Sequence, residues 1–301
     1  MQENSLLTAP IAAPPGGAIV ADPFLFRLRD LIYQTSGILF TENKFYYLSD
    51  RCTRRMEARG VPSLALYLDL LQSAGGVEAE NELRALLNEI TVGETCFFRN
   101  QPQIDALRST VLPAVAEEKA KFGYKRLSIW SAGCSTGEEP YTLAMVLLEE
   151  SLGMLRGWSV EIHATDLNER SLARARDGVY SEYALRNIPA HYKQKYMRPV
   201  TDGFQVNDDV KSLVKFNRLN LRDDSRMVFM KGLDVVFCCN VLIYFGAQPK
   251  RRVIQHFYND LLPGGYLFLG HSESLFGLND EFKLVHFPQA TAYRKPPRSL
   301  L

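Results

Sequence analysis

Ser131-Ala-Gly-Cys-Ser-Thr-Gly-Glu-Glu-Pro140 is the segment of this sequence richest in chemistry. Gly133 and Gly137 let a backbone turn tightly and approach a ligand closely. The segment follows a run with strand character and opens one with helical character. A helix that starts there offers unpaired N–H groups, which in phosphate-binding loops face an anion. Glu138 and Glu139 occupy that first turn instead. They would repel a pyrophosphate and favour a ligand with a cationic group. The plainer reading of the same pair is that acids complement a helix dipole. The glycines in this strand–turn–helix setting point to a nucleotide-like ligand.

Three further groups accompany the loop. Asp166 follows the strand-like run Val160–Thr165. An acid at the end of a second strand can accept both ribose hydroxyls of an adenosine; it can also cap the next helix, a role for which Asn168 competes. Arg99 closes Thr91-Val-Gly-Glu-Thr-Cys-Phe-Phe-Arg99, at the junction between a helical and a sheet-like part of the chain. Its guanidinium can hold a carboxylate through two hydrogen bonds, and such junctions form small-ligand clefts; an ordinary surface arginine is the alternative. Asn240-Val-Leu-Ile-Tyr244 lies at the carboxyl end of the run Leu233–Cys239, where ligands of open α/β sheets bind. Tyr244 reads equally as a core aromatic with its hydroxyl at the rim. The five cysteines form no C-x-x-C pair and the five histidines are scattered, so no metal site is expected.

The elements that must position these groups follow from patterning. The chain has 301 residues, 46% hydrophobic and 23% charged, the composition of a soluble globular protein. With 35 basic against 34 acidic residues the net charge is +1, which disfavours a nucleic-acid partner. No apolar run approaches the roughly 20 residues that span a bilayer. The start of the chain carries an acid and no basic n-region, so no secretion signal is expected, and an odd cysteine count suggests reduced thiols in a cytoplasm. Residues 1–20 read as a loose tail. Residues 21–90 have helical period and suggest about four helices; 91–124 read as a linker and connecting helix. From 125 to 301, strand-like runs (Arg126–Trp130, Val160–Ala164, Leu233–Cys239, Tyr266–Gly270) alternate with helical ones. That alternation predicts a parallel sheet with helices on both faces. Phe282–Phe287 and Thr291–Arg294 follow without a helix, as an antiparallel hairpin on the sheet edge would. Met197–Val200, Phe204–Val206 and Val214–Phe216, around the turn Asp202-Gly203, predict a small antiparallel insertion at about 195–217.

Six ordered segments, NEITVGETCFFR, WSAGCSTGEEPYTLAM, ATDLNERSLARA, FNRLNL, FCCNVLIYF and LLPGGYLFLGHSES, resemble those of the chemotaxis receptor methyltransferases, the CheR family, over about residues 24–294. The resemblance implies a class I S-adenosylmethionine-dependent methyltransferase: a Rossmann-like doubly wound sheet ending in an antiparallel hairpin, behind a small all-α domain, with a β-subdomain insertion. It implies S-adenosyl-L-methionine as cofactor, S-adenosyl-L-homocysteine as product, and methyl esters on glutamates of the cytoplasmic helical region of chemoreceptors. Carried over residue by residue, it places Gly93, Thr95, Arg99, Gly133, Glu139, Asp166, Asn220, Leu221, Cys239 and Asn240 around the cofactor. Arg99, Asn240 and Tyr244 fall at the reacting centre. Two positions depart from the pattern. Cys239 stands where the family commonly has Arg, and Gly93 where some relatives carry a polar side chain. Lys44, Arg51, Arg54 and Arg55 suggest a basic face for an acidic receptor helix, or simply a solvated one. The short turn Thr201-Asp-Gly203 implies no docking of a receptor's C-terminal pentapeptide. A monomer without nucleic-acid partner or membrane insertion is expected. The competing expectation is a CheR-like binding partner or sensor in which Cys239 has removed turnover.

Overall fold

The computed structural model describes residues 22–73, 76–228 and 230–297; the expected tail lies outside them. The chain opens with helices α1 (Pro23–Ser36), α2 (Phe45–Arg59), α3 (Leu64–Gln72) and α4 (Val77–Ile90). Local chemistry sets their ends. The Asp22 carboxylate accepts the Phe24 N–H at 2.9 Å, and Ser63 Oγ accepts the Leu66 N–H at 3.3 Å. Gly37 and Gly60 close α1 and α2 at φ +79° and +64°. Leu25, Leu28 and Ile32 of α1, Leu48 of α2, Tyr67 and Leu68 of α3, and Leu86 and Leu87 of α4 form the buried centre. The three of α1 are spaced three, four and seven apart, as on one helix face.

A connecting helix, α5 (Gln101–Ala106), runs through the wide turn Leu107–Val111 into α6 (Leu112–Ala120). Then come β1 (Arg126–Ala132), α7 (Glu138–Ser151), β2 (Ser159–Asp166), α8 (Glu169–Asp177), β3 (Val179–Tyr180), α9 (Ala190–Tyr196), β4 (Met197–Val200), β5 (Gly203–Val206), α10 (Asp208–Ser212) and β6 (Val214–Arg218). They are followed by α11 (Asp224–Met227), β7 (Leu233–Cys238), α12 (Ala247–Asp260), β8 (Leu261–Leu269), β9 (Lys283–Phe287) and β10 (Ala290–Arg294). The main sheet has the order β6-β2-β1-β7-β8-β10-β9. All its pairings are parallel except those of β10 with β8 and β9, which form the expected hairpin edge. All of β7 and all but the first residue of β1 are buried, as befits strands covered by helices on both faces. From β1 the chain winds outward to β2 and β6, then returns to β7 on the other side. The topological switch point therefore lies between β1 and β7.

One expectation is corrected. Val214–Phe216 does not belong to the small insertion: β6 pairs in parallel with β2, Ile162 opposite Val214, and forms an edge of the main sheet. A parallel neighbour requires a crossover, and the stretch from α8 to α10 supplies it. The small sheet takes β3 instead, in the order β3-β5-β4. With two residues, β3 is too short to show a period. Its hairpin turns on Thr201-Asp202 between Val200 and Gly203, the latter at φ +136°.

The helical unit rests on the carboxyl end of the sheet. Leu39 N–H donates to the Tyr244 carbonyl at 2.9 Å, and Gly246 N–H to the Gly37 carbonyl at 3.2 Å. Asn168 Nδ2 donates to the Asn88 carbonyl at 3.0 Å and to Thr91 Oγ1 at 2.7 Å. Arg170 pairs with Glu89.

Candidate active site

The loop after β1 is shaped by close approach. The N–H groups of Gly133 and Cys134 both donate to the Thr165 carbonyl, at 2.8 and 2.9 Å. Gly133 has φ +78°, and a Cβ there would stand 2.4 Å from Val241 Cγ2. Gly137 has φ +96°, and its Cβ would stand 2.8 Å from that of Ala175. Any side chain at either position would close the loop or strain it. α7 begins immediately behind.

The two glutamates of that turn part company. Glu138 is buried and accepts the Thr136 hydroxyl at 2.7 Å. Glu139 lines the cleft and accepts the Ser131 hydroxyl at 2.6 Å. Burial pushes the Glu139 carboxyl up to about 7, and Glu273 adds to this; Ser131, Cys239 and the Arg99 charge act the other way. Asp166 ends β2. Its two oxygens accept the N–H groups of Ser135 and Asn168, each at 2.8 Å, while Asn168 caps α8. Burial raises the Asp166 carboxyl, and the backbone donors oppose that rise.

Across the switch point, Asn240 sits at φ +60° directly after β7 and Cys239. Glu273 holds this turn. Its Oε2 accepts the N–H groups of Asn240 at 2.8 Å and Gly270 at 2.7 Å, and its Oε1 that of Ile243 at 3.0 Å. The Cys239 thiol donates to Gln103 Oε1 at 3.5 Å, and Gln103 Nε2 donates to the Leu269 carbonyl at 2.6 Å. Burial pushes that thiol well above its ordinary value, so it is neutral. Tyr244 is half-buried, with Lys44 Nζ 6.0 Å from its ring centroid. Burial also raises its phenol, which stays protonated.

The linker is pinned so that Arg99 emerges at the mouth. Phe97 and Phe98 are buried; their N–H groups donate to the Ala184 carbonyl at 3.0 Å and to Thr142 Oγ1 at 3.1 Å. Arg99 Nη1 donates to the Glu94 carbonyl at 2.8 Å, and its guanidinium is exposed. Asn220 Nδ2 donates to the Thr35 carbonyl at 2.7 Å, and its Oδ1 accepts the Arg222 N–H at 3.1 Å. One N–H and one lone pair of that amide remain for a ligand.

These elements enclose a cleft of about 440 Å³, within the roughly 300–1,000 Å³ typical of small-molecule sites. Gly93, Thr95, Arg99, Gly133, Glu139, Asp166, Asn220, Leu221, Cys239, Asn240, Tyr244 and Lys44 all line it. Arg51, Arg54 and Arg55 do not. Arg55 is a correction: it is turned into the helical unit, where Nε and Nη2 donate to Glu82 at 2.9 and 2.7 Å. Tyr67 OH donates to the same carboxylate at 2.7 Å. A buried carboxylate one helix away claims the charge that helical spacing had assigned to the surface. Arg51 and Arg54 share Asp50 at 3.7 and 3.2 Å. Sequence reasoning missed Ser131, Gln103 and Glu273. Of these Glu273 left a trace: Gly270, three residues before it, has no room for a Cβ, which would lie 2.7 Å from Asn240 N.

The donor set fits S-adenosyl-L-methionine. Glu139 has no ion-pair partner among the described residues and suits an ammonium; Asp166 suits ribose hydroxyls. Leu219, Leu221 and Asn220 offer an apolar wall with a polar edge for a base. A glycine-shaped loop under a helix start, an acid ending the second strand, and a cleft at the switch point of a mostly parallel sheet define a class I S-adenosylmethionine-dependent methyltransferase. The chain belongs to the CheR methyltransferase family. Its residues 25–91 match the family's all-alpha domain, and residues 93–291 its SAM binding domain. Similar proteins include chemotaxis protein methyltransferase 2 of Vibrio cholerae, 35% identical over 279 residues that cover 92% of this chain and 94% of that one. Chemotaxis protein methyltransferase 1 of Pseudomonas aeruginosa is 37% identical over 279 residues, 91% of this chain and 97% of that one. The chemotaxis protein methyltransferase of Borreliella burgdorferi is 35% identical over 254 residues, 84% and 88%. S-adenosyl-L-methionine is the cofactor. Among the described residues no helix is long and apolar enough to cross a membrane.

Proposed function

We propose that this protein methylates glutamate side chains of chemoreceptors, in the cytoplasm and as a monomer, giving methyl esters. The observation that carries the reading is the cleft mouth. Lys44 and Arg99, neither ion-paired among the described residues, stand there with Tyr244. Two cations and a phenol O–H are groups that attract and orient a carboxylate.

When bound, the cofactor supplies an electrophilic methyl group: the acceptor oxygen takes the methyl as the C–S bond breaks, and the electron pair stays on sulfur. A glutamate acceptor is already ionised near pH 7, so the chain need not remove a proton. Arg99 and Lys44 align the acceptor carboxylate, and Tyr244 donates a hydrogen bond to it. Glu139 and Asp166 would hold the cofactor, while the helical unit and the Asn240–Tyr244 turn exclude water. The test uses methyl-labelled cofactor with receptor cytoplasmic fragments from the same organism, followed by alkali. Base-volatile label on the fragment is the expected result, and base-stable label contradicts ester formation. Arg99→Ala is expected to cut transfer at least tenfold.

Cys239 favours a second reading, a cofactor-binding partner or sensor without turnover, because its neutral thiol supplies no charge where the resemblance expects a guanidinium. Any base-volatile transfer by the wild-type chain excludes it. The two-residue Thr201-Asp202 turn supports the proposal that no receptor pentapeptide docks on the small sheet; tight binding of such a peptide would refute it.

A further inference from the structure

We propose that the acceptor segment is read at the rim of the cleft, by four exposed apolar side chains set around two cations. It is then a helical stretch with apolar residues about one turn from its accepting glutamate. This rests on the receptor-glutamate reading above. Leu39, Tyr46, Val92 and Ile243 are 43%, 41%, 54% and 46% exposed, and all four line the cleft.

They come from separate segments: the stretch after α1, the first turn of α2, the linker, and the turn before α12. No single helix face accounts for them. Exposed apolar residues scattered singly need no explanation, but four around one mouth mark a contact surface. The rim is also held in place. Leu39 N–H is bound by the Tyr244 carbonyl and Ile243 N–H by Glu273, so little ordering is needed when a partner docks.

Charge points the same way. Lys44 and Arg99 are exposed, line the same cleft and can pair with the acceptor carboxylate. Of the arginines of α2, Arg55 is engaged with Glu82 and Arg59 with Glu78 and Glu82, while Arg51 and Arg54 share Asp50 at the surface and do not line the cleft. On a helix that points its glutamate into the cleft, the residues at i±3 and i±4 share the same face. Those side chains meet the rim. The patch is small, which suits a contact released at each turnover.

The experiment measures KM for a receptor fragment, kcat, and cofactor affinity by calorimetry, for Leu39→Ser, Tyr46→Ser, Val92→Ser and the Leu39→Ser/Val92→Ser pair. Leu152→Ser, 73% exposed just beyond the far end of α7, serves as the exposed apolar control. Each rim change is expected to raise KM about three- to tenfold. Cofactor affinity, which also reports folding, and kcat at saturating fragment stay within about twofold, and the control stays at wild type. Wild-type KM is expected to rise only about threefold between about 50 and 300 mM salt. The proposal is overturned if the double rim variant keeps wild-type KM. It is equally overturned if KM climbs steeply with salt and Arg51→Ala/Arg54→Ala raises it more than the rim changes do, since α2 then reads the acceptor by charge. A wild-type chain that binds cofactor yet esterifies no fragment overturns the receptor reading, and the rim proposal with it.

Discussion

Glu139→Gln separates what the buried carboxyl costs the fold from what it contributes to binding. Burial pushes this carboxyl from an ordinary value of 4.5 to about 7, so the folded chain holds a proton there that the unfolded chain has released. Between those two values folding stability therefore falls as pH rises. The loss reaches about 3 kcal/mol above pH 7, at 1.36 kcal/mol per pKa unit. Glutamine cannot ionise and escapes it. Without cofactor, the variant is expected to melt higher than wild type at pH 8 and at about the same temperature at pH 5.

Binding runs the other way. A charge-assisted hydrogen bond to the cofactor's ammonium contributes about 1.5–3 kcal/mol, so the variant should bind some 10- to 100-fold more weakly at pH 8. Below pH 7 the wild-type carboxyl must release its proton before it can pair, so its advantage shrinks about tenfold per pH unit and fades between about pH 6 and pH 5. Calorimetric titration of S-adenosyl-L-homocysteine into both proteins from pH 6 to 8.5 isolates Glu139, because the ligand's own titration is common to both. Equal affinities across that range, or a variant that melts lower than wild type at pH 8, would refute the assignment of Glu139 to the ammonium.

Three other outcomes are expected. Arg55→Ala leaves the buried Glu82 with only the more distant Arg59, at 3.6 Å, as its cation and should destabilise the helical unit by about 2–3 kcal/mol, read as a lower melting temperature; recovery at saturating receptor would show a recognition role instead. Gly133→Ala forces a Cβ against Val241 at positive φ and should abolish measurable cofactor binding while the circular dichroism of the helices persists. Glu273→Ala releases the N–H groups of Asn240, Ile243 and Gly270. It should lower kcat at least tenfold with cofactor affinity much less affected, and Glu273→Gln should recover part of the loss.

Much of the architecture was legible because local chain chemistry carries it. The Gly133–Gly137 loop needs positive φ at both glycines, which only glycine adopts without strain. Strand–helix alternation after residue 125 predicted the parallel sheet, and the missing helix before Phe282–Phe287 predicted the hairpin edge. Ligands of open α/β sheets bind beyond the carboxyl ends of the strands, which is why Asp166, Asn240 and Tyr244 stand out in the sequence without any knowledge of the strand order.

Other outcomes depended on partners far along the chain. Arg55 carries the same charge as Arg54, yet a carboxylate 27 residues away draws it inward. Asn220 looks like a free polar group but is tied to a carbonyl 185 residues away. Val214–Phe216 has the apolar alternation of either sheet; only the crossover between β2 and β6 places it in the large one. Glu138 and Glu139 are identical in type and adjacent, and the helix start turns one to Thr136 and the other to the cleft. The elements, the loop and the family pattern are local, because they rest on backbone preferences and apolar periodicity within short windows. Packing sets which charges are buried, which carboxylate lines the cleft and which residue holds the Asn240 turn. Those depend on neighbours brought within about 3 Å by packing, and no local window contains them.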